Sequence, residues 1–153
     1  MSKLRWLARQ WPVFAWAALI CTFSTHWFSE AHTSRVIFPI LRFFFPHASL
    51  IFLGRAHDVI RKCAHLFEYF VFSLLLLRAI RNGRPGWRIT WALAAILIVF
   101  GFACLDEFHQ SFVPGRDAEF SDALLDTSGA AFAQILAALW TVRKKADEQP
   151  RQA

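Results

Sequence analysis

The sequence predicts an all-α integral membrane protein with four transmembrane helices and an interfacial or re-entrant segment between the first and the second. Hydrophobic residues make up 56% of the 153 residues and charged residues 18%, against roughly 45–50% and about 25% in soluble domains. Four apolar stretches approach the about 20 helical residues that a bilayer core needs. Basic residues cluster beside these stretches, so the net charge of +6 indicates membrane anchoring and no nucleic-acid partner.

The first predicted span is about 11–29 and follows a basic start. That arrangement is also typical of a signal peptide, but no small-x-small cleavage site follows it, so we expect an uncleaved helix. The other three spans are predicted at about 60–80, 88–107 and 121–142.

Residues 34–54, "SRVIFPILRFFFPHASLIFLG", are apolar but interrupted by Pro39, Arg42 and Pro46. Lipid-exposed broken backbone does not cross a hydrocarbon core. Two alternatives remain for this segment. It forms one or two short helices in the outer interface, with the phenylalanine face toward lipid, or it is a re-entrant loop that caps a site.

One transmembrane domain is predicted over 1–145, followed by a disordered cytoplasmic tail at 146–153. Positive residues flank the spans in three groups: Lys3, Arg5, Arg9; Arg78, Arg81, Arg84, Arg88; and Arg143, Lys144, Lys145. An even number of spans puts all three groups on one side of the membrane. That side is cytoplasmic by the positive-inside rule, and so are both termini.

Ionisable residues are predicted to meet at the opposite, extracytoplasmic face. Arg61 is explained as an interfacial anchor. The others lie in the outer turns of three different spans, and intramembrane ionisable groups are functional candidates. They are Lys62, His65, Glu68 and Tyr69; Asp106 and Glu107; and Asp122 and Asp126. Spacings of three and four residues put three sets each on one helix face, namely Lys62, His65 and Tyr69; Asp106 and Gln110; and Asp122 and Asp126.

Two segments resemble the signature segments of VanZ-like proteins: "IRKCAHLFEYFVFSLLLLR" and "LDEFHQSFVPGRDAEFSDALLDTSGA". The matching residues are Lys62, His65, Tyr69, Asp106, Glu107, Gln110, Arg116, Asp122, Gly129 and Ala130. Asp126 stands where many members carry Asn, which adds a charge. The resemblance implies a protein of the bacterial cell envelope, in the inner membrane, related to teicoplanin resistance.

The residues of this polar cluster are assigned two roles. Lys62 and Arg116 would hold a phosphate, while His65 or Glu107 would transfer protons. The catalytic candidates are His65, Glu68, Asp106, Glu107 and Asp122, and the substrate-binding candidates are Lys62, Tyr69, Gln110, Arg116 and Asp126. A divalent cation held by carboxylates with His65 or His109 stays an open alternative, although no established metal motif is present.

Two classes of function fit this cluster. The first is an enzyme that hydrolyses or transfers a head group or phosphate of a lipid or lipid-linked cell-wall precursor. The second is a non-catalytic protein for lipid binding, transport or antibiotic shielding. The chain lacks GxSxG and an obvious nucleophile. Membrane lipids or lipid-linked wall precursors are the expected partners, and a homo-oligomer stays open because four short helices are few for a monomeric transporter.

Alanine at His65, Asp106 or Arg116 should abolish the envelope function without reducing the protein level, because these residues form the polar cluster. The envelope phenotype and an immunoblot check this. Retained function in all three variants would contradict both classes.

Overall fold

The computed structural model describes residues 3–113 and 119–148, and every regular element in these residues is helical. The predicted all-α class is therefore confirmed over this part of the chain. The elements are α1 (Lys3–Phe23), a short 3₁₀ turn (His26–Phe28), α2 (Glu30–Phe44), α3 (Leu50–Arg81), α4 (Ile89–Gln110) and α5 (Phe120–Glu148).

Three helices of the described residues are long and apolar enough to cross a membrane, namely α3, α4 and α5. The predicted first span, 11–29, does not continue as one helix. Its apolar helical part is Gln10–Phe23, and the Thr25 amide then bonds to the Thr22 carbonyl at 3.2 Å, which tightens the chain into a turn.

Helix α5 is longer than the predicted fourth span, 121–142. It continues to Glu148, so residues 146–148 of the predicted disordered tail are helical. Residues 149–153 lie outside the described part of the chain, and the disordered tail stays a prediction there.

Helix α3 begins at Leu50, well before the predicted start at residue 60. Ser49 caps it, because its hydroxyl oxygen accepts a hydrogen bond from the Phe52 amide at 3.2 Å. Its 32 residues span about 48 Å, more than the ~30 Å of a bilayer core. The first turns of α3 therefore exceed the length that a single crossing needs.

The segment predicted as interfacial or re-entrant is helical on both sides of one turn. Helix α2 contains Pro39 without ending, and the chain reverses at 45–49, where Pro46 lies. Glu30 of α2 meets Arg61, while Thr33 meets His57, so α2 runs antiparallel to the start of α3. We call α2, the turn and residues 50–61 the α2–α3 hairpin.

The closest helix packing joins α3 to α5. A Cβ at Gly129 would collide with the backbone carbonyl of Leu66. Ala130 and Ala133 on the same side of α5 are fully buried. Small residues let helices approach closely, and Gly129, Ala130 and Ala133 do so for α5 here.

A buried polar network reinforces the same pair of helices further along. The Ser73 hydroxyl donates to the Ala130 carbonyl at 3.2 Å, while the Gln134 amide donates to the Ser73 hydroxyl at 2.9 Å. Hydrogen bonds of this kind fix the axial register of the two helices.

Gly129→Ala should lower the free energy of unfolding by about 1–3 kcal/mol, because the added methyl group meets the backbone of α3. Gly101→Ala is the matched control, since Gly101 is an exposed helical glycine with nothing near its Cβ position. Denaturant unfolding in detergent measures both. Equal stability of the two variants would contradict the close contact.

Candidate functional site

Helices α3 and α5 bring four of the predicted site residues together in two pairs. Lys62 Nζ lies 3.8 Å from Asp122 Oδ1 at the exposed edge. His65 Nδ1 lies 4.0 Å from Asp126 Oδ1, one turn deeper. The Asp126 side chain is 2% exposed and that of His65 is 23% exposed. The pairs therefore run from an exposed edge into the helix interface.

Some buried oxygens in this region have no hydrogen-bond partner within residues 3–113 and 119–148. They include Asp126 Oδ1 and the Tyr69 hydroxyl. Leaving such atoms unsatisfied is costly, and functional sites are where such atoms are retained. The Tyr69 ring packs edge-on against Phe72 and Phe102 in the core, so the predicted substrate-binding tyrosine is fully buried.

Asp106 joins α1 to α4. Its Oδ2 accepts hydrogen bonds from the Ser24 hydroxyl at 2.7 Å and from the Gln110 side-chain amide at 2.8 Å. All three side chains are buried. Asp106 was predicted to be catalytic and Gln110 to bind substrate. The structure places both in a buried hydrogen-bond network between helices. Ser24 was missed, because a serine near the end of an apolar stretch carries no signal of its partner.

Glu107 ties the last turns of α4 to the residue that precedes α5. Its Oε2 accepts a hydrogen bond from the Glu119 backbone amide at 3.1 Å, directly before α5 begins. Glu107 is largely buried. Arg116, the predicted phosphate ligand in this connection, lies outside the described residues.

A cavity of about 180 Å³ opens beside His65, on the side of α3 that faces α1 and α2. Its lining combines aromatic, cationic and acidic groups, from Phe23, Phe28, Thr33, Arg61, Ala64, His65 and Glu68. Arg61 was predicted to be an anchor only. The spacing of Arg61, His65 and Glu68, four and then three residues, could have placed it on the same face.

Comparison with known proteins adds one positive result. A family model described as VanZ/LLP1 matches residues 11–141. The chain belongs to the VanZ/LLP1 family. The resemblance seen in the two signature segments is thereby confirmed. Searches of curated proteins and of solved structures each found no match to this VanZ/LLP1 protein.

The cavity of this VanZ/LLP1 protein is lined by two bases, Arg61 and His65, and one acid, Glu68. Asp106 and Asp126 are buried and do not line the cavity. The buried Asp126 carboxyl group lies beside the His65 imidazole and can orient the ring. The arrangement can hold a negatively charged group at the cavity wall and exchange a proton with it. Among the described residues, one group of side chains is close enough together to share a metal ion: Glu30, His57 and Asp58. Neither His65 nor His109 belongs to it.

Ser24→Ala should lower the free energy of unfolding by about 1–3 kcal/mol, because Asp106 loses a buried charge-assisted hydrogen bond. Thr22→Ala is the control, since the exposed Thr22 hydroxyl bonds only within its own helix, to the Ala18 carbonyl. Thermal unfolding in detergent measures the difference. A loss of the same size in Thr22→Ala would show that Asp106 does not depend on Ser24.

Proposed function

We propose that this protein is a multi-pass protein of the bacterial inner membrane that binds an anionic lipid or lipid-linked cell-wall intermediate at its extracytoplasmic face. The cavity carries this proposal. Arg61 and His65 share its wall with Phe23 and Phe28. A guanidinium group binds phosphate oxygens in bidentate fashion, and aromatic walls suit the first carbons of an acyl or prenyl chain.

Three acidic residues near the cavity are compatible with an anionic ligand because each is engaged by a neighbouring side chain. Asp122 faces Lys62, Asp126 faces His65, and Asp106 accepts from neutral donors. These carboxylates therefore hold helices and bases in position. Glu68 lines the cavity itself and is suited to accept hydrogen bonds from hydroxyl or amine groups of a head group.

The proposed topology has four spans, with α1 as the first, and both termini in the cytoplasm. The basic flanks of the sequence support it. So does the turn between α3 and α4, where the guanidinium groups of Arg84 and Arg88 lie 4.8 and 5.1 Å from the Trp91 ring centre. Arginine and tryptophan together are typical of a membrane interface. The cavity lies toward the opposite ends of these helices.

A second candidate is an enzyme that acts on the same head group. The His65–Asp126 pair favours it, because a solvent-reaching imidazole backed by a buried carboxylate is the arrangement of a general acid or base. His65 would then move a proton to or from a phosphate or hydroxyl oxygen held by Arg61.

Binding of a wall intermediate at the outer face would connect this site to glycopeptide resistance, as the family resemblance implies. Survival on teicoplanin is then the envelope phenotype to score for the alanine variants. A non-catalytic shielding protein would act by the same binding step.

Labelled polyprenyl phosphate should bind saturably to the purified protein in nanodiscs, and labelled phosphatidylcholine should not. Arg61→Gln should weaken binding about tenfold or more, because a charge-assisted hydrogen bond contributes about 1.5–3 kcal/mol. Arg55→Gln is the matched control, since Arg55 is exposed on the same helix and does not line the cavity.

The outcomes separate the two candidates. Product formation that is lost in His65→Ala and Asp126→Asn supports the enzyme, whereas saturable binding without product supports the binding protein. Equal affinities of wild-type protein and Arg61→Gln, or an equal loss in Arg55→Gln, would remove the cavity as the binding site.

A further inference from the structure

The α2–α3 hairpin contains a second group of ionisable side chains, separate from the carboxylates around His65. Glu30, His57 and Asp58 each present a potential ligand atom, and these atoms lie within 4.8 Å of one another. His57 is completely buried, while Glu30 and Asp58 are exposed. Two exposed carboxylates therefore lie beside one buried imidazole.

The hydrogen bonds of Thr33 determine the tautomer of His57. The Thr33 hydroxyl donates to the Ser29 carbonyl at 3.0 Å. Its oxygen lies 2.9 Å from His57 Nε2. In the tautomer that satisfies both contacts, the Thr33 hydroxyl hydrogen stays on the Ser29 carbonyl, and His57 Nε2–H donates to the Thr33 oxygen. In the neutral ring, the lone pair is then on Nδ1.

His57 Nδ1 is buried and has no hydrogen-bond partner within the described ranges 3–113 and 119–148. The ring cannot turn freely, since Phe38 packs edge-on against it with the ring centres 5.7 Å apart. A buried acceptor without a donor is unfavourable. A metal ion would satisfy this lone pair, and the two neighbouring carboxylates would neutralise the ion.

We infer that the α2–α3 hairpin binds one divalent transition-metal ion through Glu30, His57 and Asp58. One imidazole nitrogen and two carboxylates are a ligand set suited to Zn²⁺, with a fourth position left for water or another ligand. The nitrogen ligand disfavours Ca²⁺ and Mg²⁺, which prefer oxygen alone. Thr33 supports the site from behind, as outer partners of metal-bound histidines do.

Arg61 would compete with a metal ion for the Glu30 carboxylate. Its Nη1 lies 3.7 Å from Glu30 Oε2, and the Glu30 side chain is 58% exposed. Exposed ion pairs of this kind are weak. A metal ion can therefore displace Arg61 from Glu30, and the inferred site does not depend on whether the cavity binds a lipid.

Titration calorimetry with Zn²⁺ on the full-length, chelator-treated protein in detergent tests this inference. We expect one ion per chain, with affinity at least about tenfold lower in Glu30→Gln, Asp58→Asn and His57→Gln, and about 10–100-fold lower in Thr33→Val. His47→Gln is the matched control, because His47 is an exposed histidine in the turn of the same hairpin.

Absence of one-to-one Zn²⁺ binding would overturn the inference, as would an affinity that Glu30→Gln, Asp58→Asn and His57→Gln all leave unchanged. An equal loss in His47→Gln would assign the binding to another place and overturn it too. Circular dichroism checks folding. The two carboxylate variants change exposed side chains only, so they decide the question even where His57→Gln does not fold.

Discussion

The contact between Gly129 and the Leu66 carbonyl is the constraint on which the candidate site depends. No side chain fits at position 129, so α5 lies directly against the backbone of α3. His65 directly precedes Leu66, and Asp126 lies three residues before Gly129. The distance of 4.0 Å between His65 Nδ1 and Asp126 Oδ1 is therefore set by backbone packing. The buried aspartate and the imidazole could not meet if the helices stood further apart.

Three buried carboxylates connect different helices at this end of the bundle. Asp106 joins α4 to α1, Glu107 joins α4 to the start of α5, and Asp126 meets α3. Burying a charge costs several kcal/mol, and for Asp106 and Glu107 hydrogen-bond donors from other segments offset part of that cost. These acids connect the helix ends, and Arg61 and His65 of α3 line the cavity beside Glu68.

Much of this architecture could be predicted from local features of the sequence. Apolar stretches placed both ends of α4 and the start of α5 within a few residues. Three- and four-residue spacing placed ionisable groups on common helix faces. The start of α3 was missed because the prediction followed hydropathy. A helix needs only backbone hydrogen bonds and a cap such as Ser49, so polar residues such as Arg55 and Asp58 do not end it. The role of Ser24 was missed because its partner, Asp106, is 82 residues away.

The sequence by itself determined the helical class, the family and the set of ionisable residues near one face, because hydrophobicity, charge and motif spacing are local properties. The tertiary structure decided which residue meets which. It paired His65 with Asp126, gave Asp106 neutral donors, brought Arg61 to the cavity and buried Tyr69 in the core. Such assignments depend on the distances and rotations between helices, and these are set by contacts such as Gly129 on Leu66 that no single stretch of sequence contains.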